Sequence, residues 1–326
     1  MKKYKLGSTE ALVSPLGVGC MGMSGVYGQT SEEEGEKTIQ EALAKGINLL
    51  NTGDFYGVGH NELLIARAIK GKREQAFISV KFGALRSPGG GWLGIDTRPQ
   101  AVKNSLSYSL TRLGTDYVDL YQPCRVDPNV PIEETVGAIA EMVKGGFVKY
   151  IGLSEVNGKS LRRAHAVHPI AAVEVEYSLM DKHIESDLLP VARELGVAVI
   201  AYGVLSRGLL QNQGQLEIKA QDYRAHLPRF NGENLQKNLM LVQKLQEMAD
   251  KKGATVSQIA IAWVRSQGDD VFPLIGVKNR THLAESLGSL DIRFSEEELA
   301  HLDEWFAPGV TAGDRYATEQ MAFVNA

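Results

Sequence analysis

Short apolar runs alternate along this chain with longer stretches in which apolar residues recur at helical spacing. The runs are Leu16–Gly19, Ile47–Asn51, Ala76–Lys81, Tyr117–Tyr121, Tyr150–Ser154, Ala171–Glu176, Ala198–Tyr202 and Val271–Ile275, all of strand length. Between and after them the pattern predicts helices over 32–45, 61–70, 98–113, 131–144, 159–167, 184–195, 235–252 and 280–287. Local signals agree: Ser31 before Glu32-Glu33-Glu34 places a cap and acids at the positive end of a helix dipole, and Gly46 stops that helix. Pro131 opens another, where its missing N–H costs nothing. Strands apolar on both faces belong to a covered parallel sheet, and eight strand–helix units predict a single-domain (β/α)8 TIM barrel over residues 1–326.

Four segments exceed that plan. Tyr4–Leu6 and Leu12–Ser14 around Gly7-Ser8-Thr9 read as an N-terminal β-hairpin, and Ser87–Gly94 as a Gly-rich loop. Gly203–Glu233 is a long connection of the kind that forms lids or binding segments. After a last helix, capped by Ser295 and reaching Trp305, the irregular tail 307–326 is expected over the barrel mouth.

Composition narrows the function. A net charge of −4 gives no basic surface for nucleic acid. No apolar run approaches the ~18 residues of a membrane span, and the N-terminus lacks a signal-peptide core, so a cytoplasmic protein is expected. Cys20 and Cys124 have no CxxC spacing, which suits a reducing compartment and gives no thiolate metal cluster. His165 and His168 lie on one helix without nearby carboxylate or thiol ligands, so no metal is expected.

Gly17-Val18-Gly19-Cys20-Met21-Gly22 matches a dinucleotide fingerprint in letters. That fingerprint needs a helix to begin at its last glycine, whereas Met23–Gly28 intervenes before the cap at Ser31, so a Rossmann reading is not adopted. A second constellation is Asn51, Tyr56 and Lys81 after strands two and three, at the barrel end where such folds work. A phenol of pKa about 10 is a poor acid at neutral pH, and an adjacent ammonium lowers that value. Tyr56 is therefore the expected proton donor, tuned by Lys81; an ordinary loop tyrosine and a solvent-reaching lysine fit the spacing equally.

Leu49-Leu50-Asn51-Thr52-Gly53-Asp54-Phe55-Tyr56-Gly57, Gly59-His60-Asn61-Glu62, Val80-Lys81-Phe82-Gly83, Asp119-Leu120-Tyr121, Ile151-Gly152-Leu153-Ser154-Glu155, Glu176-Tyr177-Ser178-Leu179, Leu205-Ser206-Arg207-Gly208 and Pro273-Leu274-Ile275-Gly276-Val277-Lys278 together resemble the aldo-keto reductases across nearly the whole chain. The resemblance implies an NADPH-dependent (β/α)8 oxidoreductase reducing small-molecule aldehydes or ketones by hydride transfer. Of the family's catalytic Asp, Tyr, Lys and His it places only Tyr56 and Lys81; Asn51 and Cys124 stand at the Asp and His positions. Asn51 adds no charge beside Lys81, and a thiol is a weak donor to the carbonyl oxygen, so His60 is a possible substitute.

For the cofactor, the resemblance places Ser154, Glu155 and Glu174 on the carboxamide, with Glu174 where the family has Gln. It places Tyr202 against the nicotinamide, and Leu205, Ser206, Arg207 and Gly208 along the pyrophosphate. Gly276, Lys278, Asn279, His282, Glu285 and Ser286 would take the adenosine end, with Lys278 and Arg280 favouring a 2′-phosphate. Met21, Met23, Tyr27, Phe55, His60, Trp92 and Tyr316 are the candidate substrate pocket. Two rivals stand beside this reading: an NADPH-binding redox-sensing or regulatory protein with little turnover, and a barrel enzyme using Lys81 as a Schiff base. Oligomeric state stays open.

Overall fold

The computed structural model describes residues 1–25, 31–211, 216, 218 and 222–324. Eight parallel strands close into a barrel: β1 (Gly17–Gly19), β2 (Leu49–Gly53), β3 (Phe77–Phe82), β4 (Val118–Pro123), β5 (Val148–Ser154), β6 (Ile170–Glu176), β7 (Ala198–Tyr202) and β8 (Val271–Ile275). Each pairs with the next in sequence, and Leu274 of β8 pairs with Gly17 of β1 to complete the ring. The predicted strands are all present.

Helices α1 (Glu32–Ala44), α2 (His60–Ala68), α3 (Pro99–Leu113), α4 (Ile132–Lys144), α5 (Gly158–Val167) and α6 (Leu188–Glu194) follow β1 to β6 in turn. After β7 come α7 (Gly232–Lys252) and α8 (Val256–Ser266), and after β8 come α9 (Arg280–Leu287) and α10 (Glu296–Trp305). Ser31 caps α1 as expected, its side chain accepting from Glu34 N at 3.2 Å.

Three elements differ from expectation. The sequence reading passes over α8, in which Val256, Ile259, Ala260, Ile261, Ala262, Trp263 and Val264 are all buried. Its start is nonetheless marked by a reciprocal cap between Thr255 and Gln258. The helix expected over 184–195 is a 3-10 turn (His183–Ser186) followed by α6, with Pro190 in its first turn. The Gly-rich segment folds as a hairpin, Ala84–Arg86 against Trp92–Ile95, and its exposed Leu85, Trp92 and Leu93 provide no buried-face alternation to read.

Position along the strands decides what the barrel contains. Leu49, Phe77, Leu120, Ala172, Ile200, Phe272 and Leu274 form one apolar cluster with Leu6 and Val13 of the N-terminal hairpin. That hairpin closes the N-terminal end, with Ser8 N on Gly196 O at 2.7 Å and Ser14 N on Asn48 Oδ1 at 2.7 Å. Two residues further along β2, β3, β4 and β6 the inward positions become Asn51, Ser79, Gln122 and Glu174, because successive side chains on a strand alternate faces. The interior is thus dry at one end and polar at the other.

A larger apolar cluster fills the layer between strands and helices. Gly17 belongs to the packing: a Cβ there would lie 2.6 Å from Leu274 Cδ2 and 2.7 Å from Leu49 Cδ2. Cys20–Ser24 after it is a 3-10 turn rather than an α-helix N-terminus, so the Gly17–Gly22 pattern does not build a Rossmann phosphate site.

Candidate active site

The polar end of the barrel holds one buried ammonium. Lys81, on β3, donates to Asn51 Oδ1 at 2.6 Å and to Glu174 Oε1 at 2.7 Å across the interior. Asn51 Nδ2 donates to Glu174 Oε2 at 2.6 Å, and Gln122 Nε2 reaches the same oxygen at 2.5 Å. Asn51 and Gln122 each also reach Ser79 Oγ at 3.3 Å, and all five side chains are buried. Glu174 thus accepts from Lys81 through Oε1 and from two amides through Oε2 inside the barrel, at a position where the sequence suggested a carboxamide contact.

Tyr56 sits above this network on the loop after β2. The loop is pinned by Asn61, whose side chain bonds Thr52 Oγ1 at 2.7 Å, Cys20 O at 2.8 Å and Ser24 Oγ at 2.8 Å. Phe55 packs edge-on against the Tyr56 ring at 4.8 Å, and Lys81 Nζ lies 5.2 Å from the ring centre. Burial raises the Tyr56 pKa, Lys81 opposes it and Glu174 adds to it, so the phenol stands above its ordinary value rather than below as expected. Burial also works against the Lys81 ammonium, but Glu174 and Tyr56 outweigh it and hold Lys81 charged. A Schiff-base nucleophile must be neutral, so this environment disfavours that role.

At the other substituted position, Cys124 is buried at the start of the loop after β4, its N–H on Phe82 O at 2.8 Å. Burial pushes its thiol up to about 12, which leaves neither a thiolate nor a strong donor. His60 does not substitute for it: Nδ1 is 2.9 Å from Ser24 Oγ and Nε2 is 3.0 Å from Glu32 Oε1, so both ring nitrogens face α1 and the 3-10 turn. The group beside Cys124 that the sequence reading missed is Arg125. It bonds Cys124 O at 2.6 Å and Tyr316 Oη at 3.3 Å, and its charge opposes the rise in the Tyr56 pKa.

The tail enters the mouth as expected, and through buried charge. Arg315 pairs with Glu155 at 2.7 Å, with side-chain exposures of 3% and 0%. Glu155 also accepts from Tyr202 Oη at 2.7 Å and Glu176 N at 3.0 Å, and Tyr316 Oη lies 2.7 Å from Tyr202 Oη. Arg207 makes a two-pronged pair with Glu176, at 3.2 and 2.9 Å. Glu155 and Arg207 thus have protein partners at the positions where the sequence suggested cofactor contacts.

Of the other candidate pocket residues, Met21 is half-buried beside the mouth, and Met23 is a core residue, 2% exposed and packed near Gly35. Trp92 is exposed and meets Phe323 of the tail edge-on at 6.3 Å. Tyr27 lies outside the described residues.

Several features fit a bound nicotinamide dinucleotide. Ser154 Oγ and Ser206 Oγ are buried without a hydrogen-bond partner among the described residues, at the ends expected for the carboxamide and the pyrophosphate. Among those residues, the non-glycine positions with positive φ are Val58, Glu155, Ser206 and Arg207, all on loops after barrel strands. At the adenosine end, Gly276 faces open space and Asn279 caps α9 by accepting from His282 N at 2.9 Å. Glu285 accepts from Thr255 Oγ1 at 2.8 Å, and Arg280 is paired with Glu34 at 3.1 Å. No cluster that could hold a metal ion occurs among the described residues, and no helix there is long and apolar enough to cross a membrane.

Comparison with known proteins agrees with this fold. The aldo/keto reductase family model matches residues 15–306. A probable aldo-keto reductase of Glycine max is 42% identical over 320 residues, covering 97% of this chain and 92% of that one. The structure of a glycerol dehydrogenase from Gluconobacter oxydans superposes with a TM-score of 0.87 at 26% identity, covering 96% of this chain and 97% of the other. An aldo-keto reductase from Bacillus halodurans, in its holo form, gives 0.76 at 26% identity, with 98% and 99% covered.

Proposed function

The chain belongs to the aldo/keto reductase family of carbonyl-acting oxidoreductases, and from that premise we propose that it reduces an aldehyde or ketone with NADPH, Tyr56 supplying the proton. The observation that carries the reading is Tyr56 buried beside the charged Lys81, 5.2 Å from its ring centre, at the polar end of the barrel. When bound, the dinucleotide supplies a hydride to the carbonyl carbon.

As the carbon–oxygen π pair moves onto oxygen, the Tyr56 O–H bond breaks and its proton passes to that oxygen. The phenolate left behind is stabilised by the Lys81 ammonium and regains a proton from water. A phenol kept protonated by burial is suited to this direction, because it arrives at the reaction with its proton in place. Ser154 and Ser206 would bond the cofactor, Tyr202 would present its ring to the nicotinamide, and Lys278 would favour a 2′-phosphate, hence NADPH over NADH. Arg125, Phe55 and Tyr316 would face the substrate.

A second reading, an NADPH-binding regulatory protein with little turnover, draws on Cys124, whose thiol is a poor replacement for an imidazole donor. The test is NADPH oxidation over a panel of aldehydes and ketones, run beside Tyr56→Phe and with NADH as control. Turnover that disappears in the Phe variant supports the reductase. Tight NADPH binding that no carbonyl converts to turnover supports the regulatory reading.

A further inference from the structure

Asn51 and Glu174 are interlocked. Lys81 requires at least one carboxylate, because an ammonium buried without a counter-charge is costly. Glu174 Oε1 supplies it at 2.7 Å. Asn51 then has one possible orientation: its oxygen accepts from Lys81 at 2.6 Å and its amide donates to Glu174 Oε2 at 2.6 Å. An aspartate at 51 would set a second carboxylate against Glu174 at that distance, and a glutamine at 174 beside Asn51 would leave Lys81 with no anion. Asn with Glu satisfies the site, as Asp with Gln would; the mixed pairs do not.

We infer that Glu174 is the residue that positions and holds Lys81 in its charged form, so that the anion serving the Tyr56–Lys81 pair comes from β6 while Asn51 acts as a neutral relay between the two. The inference rests on the proposed role of Tyr56 and Lys81. It changes the meaning of two of the departures from the family pattern seen in the sequence, Asn51 and Glu174: together they transfer one negative charge from β2 to β6 instead of removing it. The other titratable groups near the pair are Cys20 and Cys124 beside Lys81 and Arg125 near Tyr56. Burial pushes both thiols up to about 12, so they stay neutral, and Arg125 stays charged. Glu174, 2.7 Å from Lys81, is therefore the carboxylate that faces the pair directly.

The experiment compares the parent protein, Tyr56→Phe, Glu174→Gln, Asn51→Asp and the double variant Asn51→Asp/Glu174→Gln. The pH profile of kcat/KM for carbonyl reduction is measured on each. The cofactor-free protein is also titrated for tyrosinate absorbance, with the Tyr56→Phe curve subtracted to isolate Tyr56. Glu174→Gln removes the anion, so Lys81 loses its proton earlier and Tyr56 ionises earlier. Loss of the Glu174 charge, which raises the Tyr56 pKa, should move the basic limb and the Tyr56 titration to lower pH, by about one unit, or about tenfold in activity above it.

The double variant should bring both back toward the parent, whereas Asn51→Asp alone should move the Tyr56 titration up. An unmoved titration in Glu174→Gln, or a double variant that stays with Glu174→Gln, overturns the inference. Thermal melts of each variant separate these results from loss of fold, and the double variant supplies the satisfied pairing if Glu174→Gln alone folds poorly. A parent without turnover, or a Tyr56→Phe variant that keeps it, defeats the reductase reading instead, and the titration arm still decides the role of Glu174.

Discussion

Replacing Arg315 with methionine removes one partner of a buried pair and leaves the Glu155 carboxylate facing the interior. Breaking such a pair from one side costs about 3–5 kcal/mol, chiefly through the unpaired charge. Here Glu155 keeps two donors, Tyr202 Oη at 2.7 Å and Glu176 N at 3.0 Å, which places the expected loss near the lower end, about 3 kcal/mol. With an unfolding entropy of about 2 cal/mol/K per residue over 326 residues, that loss lowers Tm by about 4–5 °C.

The pH dependence has a definite sign. Burial raises the Glu155 carboxyl, but Arg315 and Arg125 outweigh it and hold it below its ordinary value. A depressed carboxyl contributes stability that is present above its unfolded pKa and lost as pH falls through the folded one. The gap between parent and Arg315→Met should therefore be full at neutral pH and narrow on acidification below about 4. Calorimetry or thermal melts across that range make the measurement, with Arg315→Met/Glu155→Gln as the control that removes the stranded charge. A Tm change under about 1 °C, or a double variant less stable than Arg315→Met, would refute the account.

Asp54 offers the opposite sign: burial and the neighbouring Glu62 push it up to about 7, so its contribution is present below about pH 4 and lost as pH rises through 7. Asp54→Asn should gain about 4 kcal/mol on the parent at pH 8 relative to pH 4, as read by urea unfolding at each pH. Gly7 stands at φ +58°, and an added Cβ would meet Gly196 O at 2.5 Å and Ala171 O at 2.8 Å. Gly7→Ala should accordingly cost about 2–4 kcal/mol by the same assay. With both thiols buried and pushed up to about 12, Cys20 and Cys124 should resist alkylation at neutral pH and react once urea unfolds the chain. Rapid labelling of either in the native protein would contradict the burial described.

The barrel was legible in the sequence because its signals are local. A strand covered on both faces must be apolar throughout, and a capped helix declares its start within a few residues, as at Ser31. Local signals failed where no face is buried, as in the 84–95 hairpin. The positions of Tyr56 and Lys81 at the polar end were also readable, since the strand ends place them.

The electrostatics were not, because they depend on pairs far apart in the chain. That Glu174 would answer Lys81 across 93 residues, that Arg315 would answer Glu155 across 160, and that His60 would turn to Ser24 and Glu32 follows only from barrel closure and the return of the tail. Sequence determined which residues stand at the ends of the strands, through two-residue alternation and the order of the elements. Tertiary structure decided which charges meet there, because the energy of a buried charge depends on every group that closure brings within a few ångströms of it.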